Sequence, residues 1–330
     1  MGAIDVREAR ELAAEAARAP SVHNVQPARW RFLPGGEVLL FRDLARTLPA
    51  ADPSGHDVLL SMGAAFEGMA LALSKRGIAL VVERELGEAT SEPGLELVAR
   101  GALVDGAVAD PLAEWVPHRR AFRGVFAPVA GGELAGLAGS ADVRVIADRA
   151  TIRDIAGRYD RSSLGFLRQP AYLRELYDWC RFSRRHPRWD RDGLNADCLA
   201  LSAVERIAAS WLLRPPVFAV LRQLGLGGLV ISEAAQIRSA AAVVLLVAPR
   251  SQPPFAVGRR FYRLWLEITA LGLMLVPMSA LADDPAEAER LAAAHNVPAT
   301  HRVVNAFRVG KPGPRGMATS PRLPVGELLV

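Results

Sequence analysis

The 330-residue sequence predicts an α+β protein assembled from two similar halves. Helical and strand-like apolar periodicities alternate along the chain, the pattern of mixed helix and sheet. Two apolar helical runs, residues 62–77 and 261–272, each close on a glycine and lead into an apolar strand-like run, so an internal repeat is expected. Hydrophobic residues make up 51% of the chain, enough at this length to bury one large core or two modest ones.

In chain order, the stretch from Ile4 to Ala19 has helical apolar spacing with Asp5 near its start, and Pro20 stops it. Arg29 to Leu33 and Val38 to Phe41 read as a hairpin around Pro34, Gly35 and Gly36. His56 to Arg76 is apolar and rich in Ala, Gly and Met, which predicts a buried helix stopped by Gly77. Strands are expected near residues 78–83 and 95–103. The polar, proline-containing stretch 106–117 reads as a linker between an N-terminal half, 1–105, and a C-terminal half, 118–330. The plan then begins again, with a helical stretch after Pro128, a strand around Val143 to Ile146 and a helix from Thr151. Residues 162–230 read as a mostly helical insert that carries Arg181, Arg184, Arg185, Arg188 and Arg191, a charged run of the kind that usually forms a solvated face. Gly225, Gly227 and Gly228 are not followed by Gly-Lys-Ser or Gly-Lys-Thr, so no triphosphate-binding loop is expected.

The net charge of +5 is almost wholly arginine, since Lys75 and Lys311 are the only lysines. Arginine's permanent charge and planar fork suit phosphate recognition. Acidic residues are spread throughout, and no helix-turn-helix or zinc-finger spacing accompanies the basic ones, so a phosphorylated cofactor is a better expectation than nucleic acid. Cys180 and Cys198 are the only cysteines, too few for a disulfide framework. With no N-terminal signal pattern and no uninterrupted apolar span, a cytoplasmic protein without a membrane partner is expected. No Gly-x-Ser-x-Gly elbow, His-Glu-x-x-His pair or other metal-ligand spacing is present.

The most informative segment is residues 20–27, Pro-Ser-Val-His-Asn-Val-Gln-Pro. Ser21, Asn24 and Gln26 place short hydrogen-bonding groups on one turn, which suits the edge of a polar heterocycle and equally suits an ordinary helix terminus. The segment resembles the flavin-contacting Pro-Ser-x-x-Asn-x-Gln-Pro turn of the nitroreductase family, with Ala28 in place of the family's Trp and the aromatic delayed to Trp30. Arg119-Arg120-Ala121-Phe122-Arg123 resembles that family's Arg-Arg-Ser-x-Arg signature, with Ala121 for Ser. Leu275-Val276-Pro277-Met278-Ser279-Ala280 and Ser320-Pro321-Arg322-Leu323-Pro324 resemble its isoalloxazine-facing loop and its C-terminal phosphate-binding segment. The turn here precedes the Arg-Arg signature, the reverse of the usual order, which is similar to the Acg-type tandem branch of fused repeats.

That resemblance implies a nitroreductase-like pseudo-dimer around one FMN. Pro20, Ser21, Val22, Asn24 and Gln26 would come from the first half, with Gln26 either touching the flavin or bracing the turn. Arg119, Arg120, Arg123, Pro277, Met278, Ser279, Ala280, Ser320 and Arg322 would come from the second. Arg119 and Arg322 would bind the phosphate, and Arg123 would meet the N1 and C2-carbonyl edge. A backbone N–H of Ser279 or Ala280 would point toward N5. No catalytic side chain is then required, because the cofactor carries the redox chemistry. His23, beside the turn, reads either as a proton donor or as a structural histidine. The implied activity is hydride transfer from NAD(P)H to an electron-poor small molecule of nitroaromatic or quinone type, by a chain that can work as a monomer because its dimer is fused. The alternative is a closed FMN-binding, storage or sensing protein, with the insert acting as a lid.

Overall fold

Asp5 accepts the backbone N–H of Glu8 at 2.8 Å and opens the first helix, α1 (Val6–Ala16), whose Leu12, Ala13 and Ala16 face the core. The computed structural model describes residues 4–89, 92–129, 134–137, 139–313 and 318–330. After α1 come the hairpin β1 (Ala28–Leu33) and β2 (Glu37–Asp43), the buried helix α2 (His56–Ser74), and the strands β3 (Ile78–Ala89) and β4 (Leu95–Asp105). These four strands form an antiparallel sheet in the order β1-β2-β4-β3.

The second half repeats that topology. β5 (Val143–Ile146) is followed by a helical insertion of α3 (Arg149–Leu167) and α4 (Pro170–Trp179), then by a short parallel pair, β6 (Cys180–Arg181) with β7 (Leu194–Asn195). The insertion continues through α5 (Ala203–Leu212), α6 (Pro215–Gln223), α7 (Gly227–Ile231) and α8 (Ala234–Arg238). Then come β8 (Ala242–Pro249), α9 (Pro254–Ala270), β9 (Met274–Pro277), the short α10 (Ala280–Asp283), α11 (Pro285–Ala294) and β10 (His301–Gly310). The second sheet runs β5-β8-β10-β9, the same order as the first. In each half the long core helix sits between the second and third strands of the chain. It ends two or three residues before a left-handed glycine, Gly77 at φ 74° or Gly272 at φ 73°, that turns the chain into the next strand.

α2 and α9 cross at the centre of the molecule. A Cβ on Gly63 would lie 1.9 Å from the carbonyl oxygen of Phe255, and one on Gly258 would lie 2.0 Å from that of Leu60. The reciprocity of these contacts, each glycine meeting the residue three before the other, is what a local two-fold axis between the halves produces. Glu67 of α2, only 3% exposed, receives Arg259 and Arg263 of α9, each at 2.8 Å, and so fixes the rotation of one helix on the other. α2 is the one helix among the described residues that is long and apolar enough to cross a membrane, and it is mostly enclosed by protein, as a core helix should be.

Several boundaries differ from the sequence expectation. The region read as a linker carries a single-turn helix, Pro111–Trp115, capped by Asp110, which also takes Arg263 at 2.7 Å, so it is packed rather than loose. The helical region between β5 and β8 extends beyond 162–230 at both ends. The helical stretch expected after Pro128 falls largely outside the described residues, and Ala135–Leu137 forms a single turn there. The chain's last residues return to the first half, where Trp30 donates to Leu328 at 2.8 Å and accepts from Val330 at 3.0 Å.

Adding one methyl group at the α2–α9 contact forces the helices apart. Gly63→Ala is expected to lower stability by about 1–3 kcal/mol, the usual cost of overpacking, although Ala is the better helix former. Gly35→Ala, with open space around it, is expected to change little. Urea unfolding of the two variants measures the difference.

Candidate functional site

The turn after α1 concentrates backbone strain. His23, Asn24 and Gln26 have φ of 44°, 55° and 53°, the left-handed region that side chains disfavour. Hydrogen bonds hold it there. Ser21 Oγ accepts the Gln26 N–H at 3.0 Å, and Ser61 Oγ, on α2, accepts the Val22 N–H at 3.0 Å. Gln26 uses both ends of its amide within the protein, donating to the Arg191 carbonyl at 2.9 Å and accepting the Leu323 N–H at 2.9 Å, so it braces the turn. Asn24 donates to the carbonyls of Gly193 and Pro321, each at 3.1 Å, and its oxygen accepts Arg322 Nη1 at 3.0 Å.

Arg322 and Arg119 converge on one carbonyl. Arg18 O accepts Arg119 Nη2 at 2.8 Å and Arg322 Nη2 at 3.3 Å, so two cationic side chains lie together at the end of α1. Arg119 also lies over the Trp265 ring, 4.6 Å from its centroid, with Tyr262 on the same side. Among the described residues neither guanidinium has a carboxylate ion-pair partner, and Arg119 Nε, Arg322 Nε and the Tyr262 hydroxyl are buried without a hydrogen-bond partner. Burial, then repulsion from Arg119, pushes Arg322 down to about 9, and burial lowers Arg119 as well. Paired cations with unfilled donors are unfavourable unless an anion meets them. Arg120 turns its guanidinium back on the carbonyls of Pro117 at 2.7 Å and Arg119 at 2.8 Å.

The remaining elements assemble around this point. Ala121 bridges Leu275 of β9, which sets residues 119–123 beside the strand leading to Pro277, Met278, Ser279 and Ala280. Met278 is tied to β10 through Ala306 O at 2.7 Å, and Ser279 Oγ accepts Asn305 Nδ2 at 3.1 Å. α2 links this loop to the turn. Its Ser61 holds Val22, while Asp57, one turn earlier, faces Asp283 of α10, whose carboxyl is raised by burial and by Asp57 and Asp52. Ser320 lies against Cys198, and its carbonyl accepts Arg322 Nη1 at 3.4 Å. Burial, with help from Arg123, pushes His23 down to about 4, and its Nδ1 has no partner, so near pH 7 the ring is the neutral imidazole rather than the imidazolium.

No family model matches the chain. A Mycobacterium tuberculosis protein that carries the provisional name NAD(P)H nitroreductase is 30% identical over 182 residues, 53% of this chain and 52% of that one. A second protein of that organism, with the same provisional name and called acg, is 44% identical over 69 residues, 21% of this chain and 20% of that one. Over these stretches the chain is similar to proteins named as nitroreductases. The chain spans about half the length of the first of these relatives and about a fifth of acg. Among solved structures it is similar to the FMN-dependent nitroreductase NfnB from Mycobacterium smegmatis in complex with NADPH, at 20% identity and TM-score 0.36, covering 66% of this chain and 96% of that one. It is also similar to a nitroreductase, provisionally so named, from Anabaena variabilis, at 10% identity and TM-score 0.43, covering 94% and 89%.

The insertion contributes residues that pattern reading missed. The run Arg181 to Arg191 is not helical; Arg184, Arg185 and Arg188 are exposed, as expected of a charged run, but Arg181 is buried. Asp192, fully buried, receives Arg46 of the first half at 3.0 Å, Arg181 at 3.0 Å and the guanidinium of Arg188. Arg46 also donates to Val25 O at 2.8 Å, and Gly193 N–H donates to Asn24 O at 3.3 Å, so this clamp grips the strained turn. The signal in the sequence was the aspartate within an arginine-rich run; its partner Arg46 lies too far along the chain to be inferred. Ser61, Tyr262 and Trp265 carried no signal beyond their place in helical runs.

Two consequences are measurable. Asp192→Ala leaves Arg46 and Arg181 buried without their carboxylate, an expected loss of about 3–5 kcal/mol in urea unfolding at neutral pH. His23 binds a proton only near pH 4 when folded but near 6.5 when unfolded. The unfolded chain therefore takes up the extra proton, and stability falls as pH drops through that interval. His23→Asn, which tolerates the left-handed backbone, should flatten this part of the pH–stability curve, as thermal melts across the interval would report.

Proposed function

We propose that the chain is an FMN-dependent oxidoreductase of the tandem type, with one flavin site shared between its halves, 1–105 and 118–330, and no need of a second copy. The observation that carries the reading is the pair of guanidiniums, Arg119 and Arg322, whose unfilled buried donors meet beside the Ser21–Gln26 turn without a carboxylate. A phosphate suits them because it offers a permanent counter-charge and several acceptors to forked donors. The provisional name of the mycobacterial relatives points the same way.

In this reading Arg119 and Arg322 hold the phosphate, and Asn24 serves mainly to aim Arg322. Pro20, Ser21 and Val22 line one side of the cofactor, and Pro277, Met278, Ser279 and Ala280 the other. Arg120 and Ser320 act at the periphery, through the backbone segments they stabilise. Arg123 would favour negative charge on the N1 and C2-carbonyl edge, and a backbone N–H at Ser279 or Ala280 would supply a donor that never titrates. The chemistry that FMN supplies when bound is hydride transfer through N5, from NAD(P)H to an electron-poor acceptor of nitroaromatic or quinone type.

One observation supports a second reading, a closed FMN-binding protein with little turnover. The 188–193 segment of the insertion is bound to the flavin turn through Asn24, Gln26 and Arg46, which would keep the insertion seated there.

A visible spectrum of the purified protein, before and after anaerobic NADPH, separates these readings. A flavin band that bleaches is the expected result for the reductase. A band that persists under NADPH and yields to dithionite indicates the closed form, and no band even after added FMN overturns both. Arg322→Ala should weaken FMN binding by roughly ten-fold to a few hundred-fold, from about 1.5–3 kcal/mol for a charged hydrogen bond, as fluorescence titration would measure.

A further inference from the structure

α5 is amphipathic, yet none of its residues is buried. Val204, Ile207 and Trp211, spaced to fall on one face, all point to solvent, with Val204 77% exposed. Val220 of α6, Leu224 just after it and Leu229 of α7, 80% exposed, are further exposed apolar side chains of the insertion. Leu226, 41% exposed, lies in the same stretch, and the remaining large apolar side chains exposed among the described residues are scattered along the chain. Seven exposed large apolar side chains within residues 204–229 are unusual for a unit that meets only water, and a helix as short as α5 gains little stability without a partner.

The charges around the patch select the partner. Residues 202–231 contain Arg206, Arg214 and Arg222 against one acid, Glu205, whose carboxylate accepts the Ser202 N–H at 2.7 Å in a capping box. The Arg214 guanidinium sits 3.9 Å from the centroid of the Trp211 ring, placing a cation and an indole together at the edge of the apolar face. An apolar face with Trp and a basic margin has the composition of an interfacial helix. A second copy of the chain would instead bring two sets of arginines together.

We propose that α5, α6 and α7 dock the protein on the surface of an anionic phospholipid bilayer, with Val204, Ile207, Trp211, Leu224 and Leu229 entering the headgroup boundary and Arg206, Arg214 and Arg222 facing the lipid phosphates. This goes beyond the flavin reading and does not depend on it. The sequence expectation of no membrane partner rested on the lack of a spanning segment, and a helix lying on the surface needs none.

Flotation of the full chain with vesicles tests the proposal. Co-flotation is expected with equal parts phosphatidylglycerol and phosphatidylcholine, declining with added salt, and absent with phosphatidylcholine alone. Ile207→Glu with Leu224→Glu should abolish it. Replacing Arg206, Arg214 and Arg222 by Gln should weaken partition by on the order of five-fold per arginine. These side chains reach solvent, so circular dichroism and the unfolding midpoint should stay unchanged, which separates lost docking from lost folding. Failure of the wild-type chain to float with phosphatidylglycerol vesicles overturns the proposal, as does full flotation of the double Glu variant. A lipid-independent dimer in sedimentation velocity that the double Glu variant dissolves, with no vesicle binding, assigns the face to a second copy and also overturns it.

Discussion

The contact between α2 and α9 sets the rest of the structure. Gly63 and Gly258 let the two backbones touch, so the helices approach at a distance that no side chain at either position would permit. From that crossing, Ser61 reaches the turn after α1, and Tyr262 and Trp265 reach Arg119. The halves are therefore held in the one arrangement that puts a strained turn from the first beside an arginine segment from the second. A fused chain makes this pairing intramolecular, so it does not depend on protein concentration.

Strain and charge are gathered at the same place and are balanced by different means. Left-handed conformations at His23, Asn24 and Gln26 persist because side-chain hydrogen bonds and the buried Asp192 clamp over-determine the turn. The positive charge of Arg119 and Arg322 has no such internal answer among the described residues, in contrast to Arg46 and Arg181, which share Asp192. The difference between satisfied and unsatisfied arginines is what singles out Arg119 and Arg322 for the proposed phosphate site. A count of basic residues cannot make that distinction.

Much of the fold was legible in the sequence. The periodicities at residues 4–19, 29–41, 56–77 and 143–146 correspond to α1, the first hairpin, α2 and β5, because burial of one face imposes a local pattern. Gly77 and Gly272 marked equivalent helix ends for a reason visible in the backbone, a positive φ. Within the arginine run at 181–191 the roles of Arg181 and Arg188 were not legible, because they depend on Asp192, which Arg46 from the other half also meets. That the connecting segment 106–117 is packed was not legible either, since Asp110 acquires its partner, Arg263, only in the folded chain.

By itself the sequence determined the α+β class, the repeat, and the residue types that could meet a phosphate and a flat polar ring, since these follow from local spacing and side-chain chemistry. Only the tertiary structure decided which arginines lack counter-charges, that Gln26 braces rather than projects, that His23 is neutral, and that one face of the insertion stays uncovered. Each of those depends on what lies opposite a residue in space, and burial and pairing are properties of contacts between segments distant in the chain.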